Sequence, residues 1–392
     1  MCGLDVIGFR LEIGAGLSRR TGETDMIDPD PIDEAALRDM QSGDYILHSR
    51  DGRLQQLPVE KTRLPRDPSG HVQRLNFVSS PDGTLYAAQH SLWHRSTDAG
   101  ISWIHMERNP LEGGWRVEFA PDGAMVNVTQ QDGGVPTVWS SSDEGGSWEQ
   151  IGQIDTDVPG ARIDLGFSIT RLPGGSLLVP VLVVADEVIE GNRYVSGSRV
   201  CRLYRSDDGG RSWSLTGTIG QWCHEVNVAV LPDGRLLAVI RLQRPRLSGD
   251  PDDLGERTGA GDSGWPYKHV FISHSTDEGR TWESPRQLCE EYGQCYGAAG
   301  VLADNTVAVV HDHRYPRALG SGRARVSHDG GDYWQDETYY LVHGHAAGYA
   351  ATLSPDGERF LTLAGSCYGD VDAGWDVATG HTDFVIIDWR PR

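Results

Sequence analysis

Arginine accounts for nearly all of the basic side chains in this sequence, and arginine has a specific chemistry. Of the 35 basic residues only Lys61 and Lys268 are lysines, which leaves 33 arginines. A guanidinium binds a carboxylate through two parallel hydrogen bonds, whereas a lysine ammonium acts as a point charge. The bias fits a demand for carboxylate binding. It also fits GC-rich codon usage, so composition leaves both explanations open.

Histidines are the second group of residues whose spacing suggests chemistry. Seven of them fall near the predicted ends of strands: His90, His94, His224, His311, His313, His343 and His345. The spacing His311-Asp312-His313 is also found at metal sites, and strand alternation would place both imidazoles on one face. We expect these histidines to line a polar funnel rather than to hold an ion, and we predict no metal or other cofactor.

The turns and strands that must position these residues occur as repeats in the sequence. The pattern Ser-x-Asp-x-Gly-x-x-Trp occurs five times, beginning at Ser96, Ser141, Ser206, Ser275 and Ser327. In such a unit the Ser and Asp side chains cap backbone N–H groups, Gly permits a positive φ, and Trp packs beneath the loop. We call these segments the stapled turns. We expect their aspartates to be structural rather than catalytic.

A second type of turn alternates with the stapled turns. It occurs six times, usually as Pro-Asp-Gly, and begins at Pro81, Pro121, Pro173, Pro232, Ala303 and Pro355. Each of these turns joins two apolar runs that read as buried strands. Each unit is therefore predicted to contain four strands in the order strand, turn, strand, strand, stapled turn, strand.

Six four-stranded units predict an all-β fold, a six-bladed β-propeller with antiparallel blades. We expect residues 1–44 to form an N-terminal extension packed on the propeller, with a short helix around residues 33–40. Residues 45–392 are expected to form a single propeller closed by N-terminal strands. The sixth unit lacks a stapled turn, so the strand pair Tyr45 to Leu57 is predicted to complete that blade.

The repeats resemble those of the sialidase (neuraminidase) superfamily, the Asp-box or BNR-repeat propellers, over roughly residues 70–390. The fourth unit strengthens the resemblance. Sialidases place a Glu before the Leu-x-Asp-Gly turn and an Arg at the end of the following strand, and Glu225 and Arg241 stand at those places. Tyr349 matches the sialidase strand that carries the nucleophilic tyrosine.

The resemblance implies hydrolysis of a terminal acidic sugar by an exo-glycosidase. Sialic acid carries a carboxylate at its anomeric carbon, which would repel an anionic nucleophile. A neutral tyrosine avoids that repulsion, and such sialidases depart from the usual pair of carboxylates. Tyr349 would attack, Glu225 would act as its base, and Arg241 would bind the carboxylate. His224, which adjoins Glu225, is expected to contact the substrate.

The resemblance is less specific for the other residues of the site. Arg74 stands close to the first arginine of the sialidase triad, and Arg314, Arg317 and Arg323 compete for the third place, with Arg317 nearest the expected offset. The segment that carries the acidic Asp in sialidases has no carboxylate here. His90 takes the strand-end position that Arg241 holds in its own unit, and we predict it as the acid, with Asp262 as a remote alternative.

Two other functions remain open on the sequence. One is a polysaccharide lyase or another hydrolase that acts on uronate-containing glycans. A lyase needs a neutralised carboxylate, a base and an acid, which Arg, His and Tyr side chains supply. A propeller that only binds glycans would need the same stapled turns in order to fold, so these turns do not discriminate between the functions.

Net charge and cysteine content limit the kinds of binding partner and the cellular compartment that the sequence predicts. A net charge of −21 argues against a nucleic-acid or anionic-membrane surface, since both require a basic field. The six cysteines contain no CxxC pair, and the first residues lack the apolar core of a signal peptide. The sequence shown therefore predicts a cytoplasmic protein, or a secreted one if a leader has been removed. It does not predict an oligomeric state.

Overall fold

The computed structural model describes most of the chain. It describes residues 34–65, 75–89, 92–106, 111, 116–130, 134–166, 168–190, 193–257, 265–288, 296–312, 322–342, 350–367 and 382–392. The chain divides into two compact units, Met1–Pro31 and Ile32–Arg392, of which the first lies outside the described residues. Within the described ranges, no helix has the length and apolar character needed to cross a membrane.

The described residues before the first blade form one helix and three strands. These are α1 (Glu34–Ser42), β1 (Tyr45–Arg50), β2 (Arg53–Pro58) and β3 (Glu60–Leu64). The first blade contains β4 (Leu75–Ser79), β5 (Leu85–Gln89), β6 (Leu92–Ser96) and β7 (Ile104–Met106). The second blade contains β8 (Val117–Phe119), β9 (Met125–Thr129), β10 (Thr137–Ser141) and β11 (Glu149–Gln153). The third blade contains β12 (Arg162–Leu165), β13 (Thr170–Arg171), β14 (Leu177–Glu190), β15 (Arg193–Ser206) and β16 (Ser214–Gln221).

The fourth blade contains β17 (Cys223–Val230), β18 (Leu236–Arg244), α2 (Leu254–Arg257), β19 (Tyr267–Ser275) and β20 (Arg286–Gln287). The fifth blade contains β21 (Gly297–Val301), β22 (Val307–Asp312), β23 (Gly322–Ser327) and β24 (Glu337–Val342). The sixth blade contains β25 (Ala350–Leu353), β26 (Phe360–Cys367) and β27 (Thr382–Trp389). The sheets are antiparallel, and six of them form the ring, so the predicted six-bladed propeller is confirmed.

Packing between blades explains why the second strand of a unit reads as a continuous apolar run. Every residue of β22 is buried, and the first five residues of β18 are buried as well. Each blade packs against a neighbour on both faces, so alternation between apolar and polar residues would place polar groups inside the protein. The apolar cores accordingly lie between adjacent sheets.

The N-terminal strands occupy different positions from those predicted. The pair Tyr45–Leu57 does not complete the sixth blade, because β1 pairs with β24 and thereby extends the fifth blade to six strands. The fourth strand of the sixth blade is β3, which pairs with the C-terminal strand β27. The cause is a buried carboxylate: Glu337 of β24 is fully buried and lies 2.8 Å from His48 Nε2 of β1, so β1 must lie beside β24.

The helix predicted around residues 33–40 is observed as α1. Its residues Leu37 and Met40 are fully buried against Leu47 and Tyr340, which places the helix on the fifth blade. At its C-terminal end the Lys61 ammonium donates hydrogen bonds to the carbonyls of Met40 and Gly43. These contacts satisfy carbonyls that have no partner within the helix.

The stapled turns have the hydrogen bonds that their sequence predicts. In the fourth blade, Ser275 Oγ donates to Asp277 and accepts from the Gly279 N–H at 2.9 Å, and Trp282 Nε1 donates to the Gly279 carbonyl at 3.0 Å. The hydrogen bonds from Thr281 and then Ser275 lower the pKa of Asp277 to about 2. The same Ser–Asp–Gly contacts recur in the other four stapled turns.

Candidate functional site

Glu225 and Arg241 form a buried ion pair at one end of the fourth blade. Glu225 lies near the start of β17 and Arg241 near the end of β18, so antiparallel pairing brings them to the same end of the sheet, opposite the Pro232 turn. Arg241 donates to Glu225 Oε2 at 2.7 Å, and the two side chains are only 11% and 6% exposed. A buried charge pair must be stabilised by good geometry, which makes it a candidate for function.

His224 adjoins this pair and is neutral at pH 7. Burial lowers the pKa of its imidazole below the usual value, and the charge of Glu225 offsets part of that shift. Its Nδ1 atom has no hydrogen-bond partner among the described residues. His224 can therefore accept a proton or a hydrogen bond from a ligand.

Tyr296 is a further polar side chain near Glu225. Its hydroxyl oxygen accepts a hydrogen bond from Asn227 Nδ2 at 2.8 Å, and Asn227 lies two residues beyond Glu225 on the same face of β17. Burial and then the charge of Glu225 raise the pKa of the Tyr296 phenol above its usual value. The Tyr296 hydroxyl is therefore protonated at neutral pH.

The backbone next to Tyr296 is fixed by a fully buried carboxylate. The Tyr296 N–H donates to Asp312 Oδ1 at 2.9 Å, and the Asp312 N–H donates to the Tyr296 carbonyl at 3.2 Å. Arg116, which precedes β8, donates to the Gly166 carbonyl, and its charge acts to lower the pKa of Tyr296. Residues from the second, fourth and fifth blades therefore meet around one phenol.

Asn227 and Tyr296 also line a cavity formed by the inner strands of the propeller, which we call the axial cavity. Its volume is about 250 Å³, and all six blades contribute to its lining. Every blade contributes at least one polar residue to the lining, and the third blade contributes three: Asn76, Glu118, Ser168, Thr170, Arg171, Asn227, Tyr296 and Thr352. Asn227 lies two residues from Glu225, and the charge of Glu225 acts on Tyr296, so the cavity lies near the Glu225–Arg241 pair.

Glu118 is the acidic group within this cavity. Its Oε1 accepts from the Phe119 N–H at 2.8 Å and lies 4.0 Å from Arg171 Nε. Burial raises the pKa of the Glu118 carboxyl to about 7, against the opposing effects of the Phe119 hydrogen bond and the Arg171 charge. Near neutral pH this carboxyl is present in both its acidic and its ionised form.

The structure brings together only part of the site predicted from the sequence. It places Glu225, Arg241 and His224 at one end of the fourth blade. The other predicted site residues lie outside the described residues: Tyr349, His90, Arg74 and Arg317. Asp262 and Arg314, which were alternatives, also lie outside them.

Two residues that the sequence associated with the site lie away from the axis. Arg323 is buried on β23, the third strand of its blade, where its guanidinium lies 5.1 Å from the ring centroid of Tyr340. The prediction that His94 lines the funnel is wrong, because His94 is buried in the middle of β6 against His105 of the outermost strand.

Sequence reasoning missed Tyr296, Asp312, Asn227 and Glu118. A signal for the first two was present in the repeat. Tyr296 precedes the turn of its unit by as many residues as Glu225 precedes its own turn, and Asp312 follows that turn as Arg241 follows its own. Alignment of the fourth and fifth units on their turns would therefore have paired them. No comparable pattern distinguishes Glu118.

Comparison with known proteins bears on the fold alone. No protein-family model matches this chain, and no curated protein matches it. A protein of unknown function from Dyadobacter fermentans has a similar structure, with 16% identity, a TM-score of 0.57, and coverage of 84% of this chain and 98% of that one.

Sialidase structures are also similar to this chain. The Hadza microbial sialidase Hz136 has 14% identity and a TM-score of 0.51, and the match covers 80% of this chain and 64% of that one. A Trypanosoma rangeli sialidase has 14% identity and a TM-score of 0.47, with coverage of 86% and 55%. The match to Hz136 shows that this chain shares the fold of a sialidase structure, which in this chain is a six-bladed β-propeller.

Proposed function

We propose that this protein is a sialidase-like exo-glycosidase that hydrolyses the bond to a terminal acidic sugar. The observation that carries the proposal is the buried Glu225–Arg241 pair at one end of the fourth blade. An arginine held in place by a carboxylate is oriented before the ligand arrives, which reduces the entropic cost of binding an anion. In a chain with a net charge of −21, arginine must supply that attraction locally.

The proposed reaction proceeds through a covalent intermediate. The Tyr349 oxygen attacks the anomeric carbon as its proton passes to Glu225, and the bond to the leaving oxygen breaks as that oxygen takes a proton from His90. Water, deprotonated by His90, then attacks the same carbon, and the proton on Glu225 returns to Tyr349. Two displacements at one carbon retain its configuration.

The remaining predicted residues would bind the substrate. Arg241, Arg74 and Arg317 would hold the carboxylate, and His224 would contact the sugar through its free imidazole nitrogen. The fold supports this proposal, since a protein named as a sialidase shares it.

The test is hydrolysis of the fluorogenic glycoside of N-acetylneuraminic acid by the wild type and two variants. Tyr349→Phe removes the attacking oxygen, and Glu225→Gln removes the base, so each is expected to lower kcat/KM by at least about 100-fold. Tyr333→Phe is the matched control, since Tyr333 is 61% exposed on the fifth stapled turn, and full activity is expected.

The variants also distinguish catalysis from binding. If Tyr349→Phe retains wild-type turnover, the proposed nucleophile is wrong. If the folded wild type does not cleave the glycoside but binds sialic acid, the protein is a glycan-binding propeller rather than a sialidase.

A uronate lyase is the second candidate, and the state of His224 favours it. A neutral imidazole with a free nitrogen beside an arginine could remove the C5 proton of a uronate whose carboxylate that arginine neutralises. Incubation with a uronate polysaccharide would then raise the absorbance of an unsaturated product, and His224→Gln would abolish that rise. No increase with the wild type would exclude this candidate for the polysaccharide tested.

A further inference from the structure

Two asparagines of the axial cavity have an amide donor that is already engaged. Asn76 Nδ2 donates to the Val117 carbonyl at 2.8 Å, and Asn227 Nδ2 donates to the Tyr296 hydroxyl at 2.8 Å. These hydrogen bonds leave the carboxamide oxygen of each asparagine as its acceptor group. Both side chains line the cavity. A ligand in the cavity would therefore meet oxygen atoms that need donors.

Glu118 determines what charge the cavity accepts. It lies two residues after Arg116 on the inner strand of the second blade, and its carboxyl lines the cavity. An anion beside this carboxyl would be repelled when Glu118 is ionised, and a cation would be opposed by Arg171, whose Nε lies 4.0 Å from the carboxyl. A neutral ligand avoids both penalties.

Size and polarity identify the class of ligand. A cavity of about 250 Å³ has room for several water molecules or for a small organic group. Thr170 and Tyr296 add hydroxyl groups to the lining, while Ala298 and Ala351 supply small apolar contacts. Hydroxyl groups with carbon between them match this mixture, because each hydroxyl donates to one oxygen and its carbon contacts the alanines.

We propose that the axial cavity binds a neutral, polyhydroxylated group, such as a polyol chain or an uncharged sugar, near the Glu225–Arg241 pair. The inference rests on the proposed function in one respect, namely that this group would be part of the substrate whose carboxylate Arg241 binds. When Glu118 is protonated, its carboxyl donates a hydrogen bond to a ligand hydroxyl. When it is ionised, it only accepts.

Direct binding tests this inference without relying on turnover. The probe is xylitol, an uncharged polyol, titrated into the full-length protein and followed by ligand-observed NMR at pH 5.5 and pH 8.5. Burial raises the pKa of Glu118 to about 7, so the wild type should bind at least about threefold more tightly at pH 5.5. The Glu118→Gln variant keeps a donor at both pH values, and its affinity should not depend on pH.

A cavity-filling variant locates the binding site. Ala351→Leu places a larger side chain in the cavity and is expected to abolish xylitol binding. Asn76→Leu serves the same purpose if Ala351→Leu does not fold. The control is Ser214→Ala, an exposed residue of β16 that does not line the cavity, which should leave the affinity unchanged.

Three results would overturn the inference. Absence of saturable binding up to high millimolar xylitol would mean that the cavity holds only water. An affinity of the wild type that does not depend on pH would mean that Glu118 does not contact the ligand, and retention of binding in a folded cavity-filling variant would mean that xylitol binds elsewhere. Failure of glycoside hydrolysis alone bears on the proposed reaction and leaves the binding result intact.

Discussion

The pKa values of ionisable side chains near the axis and in the stapled turns are shifted by different causes. Burial raises the pKa of Glu118 to about 7 and lowers the pKa of His224. In the stapled turns, hydrogen bonds from neighbouring hydroxyl and N–H groups instead lower the pKa of Asp98 and Asp143 to about 2. Burial near the axis favours the neutral form of a group that can exchange protons, whereas the hydrogen bonds in the stapled turns fix the conformation of the turn.

His94 provides a prediction at the scale of one residue. Burial, followed by the charge of His105, lowers its pKa to about 4, whereas an unfolded imidazole titrates near 6.5. The unfolded state therefore binds more protons between these values, so stability is complete above pH 6.5 and is lost as the pH falls towards 4. Over this pH range His94 should lower the free energy of unfolding of the wild type by up to about 3 kcal/mol, and the His94→Gln variant should not show this decrease.

Urea unfolding at pH 7 and at pH 4.5 measures this effect for the wild type and the variant. The control is His328→Gln, because His328 is exposed and should leave the pH dependence unchanged. If the free energy of unfolding changes with pH by the same amount in the wild type and in His94→Gln, the argument from burial of His94 is wrong.

At the scale of elements, each of the first five blades has two turns that join its strands, whereas the sequence of the sixth blade has only the turn that begins at Pro355. The stapled turn closes the third and fourth strands, and the Pro-Asp-Gly turn closes the first and second. Glycine is required in these turns, for example at Gly234 with a φ of 87° and Gly279 with a φ of 87°. Because both turns lie at the same end of a blade, the opposite end is left for Glu225 and Arg241.

Ser275 tests the contribution of a stapled turn. Its hydroxyl is buried, donates to Asp277, and accepts from the Gly279 N–H. Ser275→Ala leaves that N–H without its acceptor, so the free energy of unfolding should fall by about 1 to 3 kcal/mol. Ser214→Ala, at an exposed position of the neighbouring blade, should change it by less than about 0.5 kcal/mol. A similar effect for both variants would argue against this structural role.

At the scale of the whole molecule, closure of the ring creates the cavity. The last strand of the chain, β27, pairs with β3, so the sixth blade is assembled from both ends of the described chain. The fifth blade gains β1 and β2 from the same N-terminal segment. Segments distant in sequence must therefore meet before the six inner strands can surround an axis.

Truncation tests this closure. A chain that begins at residue 65 lacks β1, β2 and β3, which exposes the apolar residues Tyr340, Val385 and Ile387 and leaves unpaired strand edges. We expect this chain to aggregate or to unfold at a much lower temperature than the full chain, as measured by size-exclusion chromatography and circular dichroism. Addition of a peptide spanning residues 32–64 should restore part of the stability. Equal thermal stability of the truncated and full chains would contradict this account.

The sequence by itself determined the repeat and the fold. The turn residues, the buried strands and the stapled turns are local features, set by backbone conformation and short-range hydrogen bonds, and they predict six blades. Of the candidate site, the sequence predicted Glu225 and Arg241 through the resemblance to sialidases, and His224 as the neighbour of Glu225.

Only the tertiary structure decided which side chains meet at the axis and where the N-terminal strands lie. The environment of Glu118 depends on Arg171 from the next blade, and the position of β1 depends on the buried Glu337 almost 300 residues later. Neither contact has a local signature. The pairing partner of a strand and the burial of a carboxyl are properties of the closed ring, since they arise only when distant blades exclude water together.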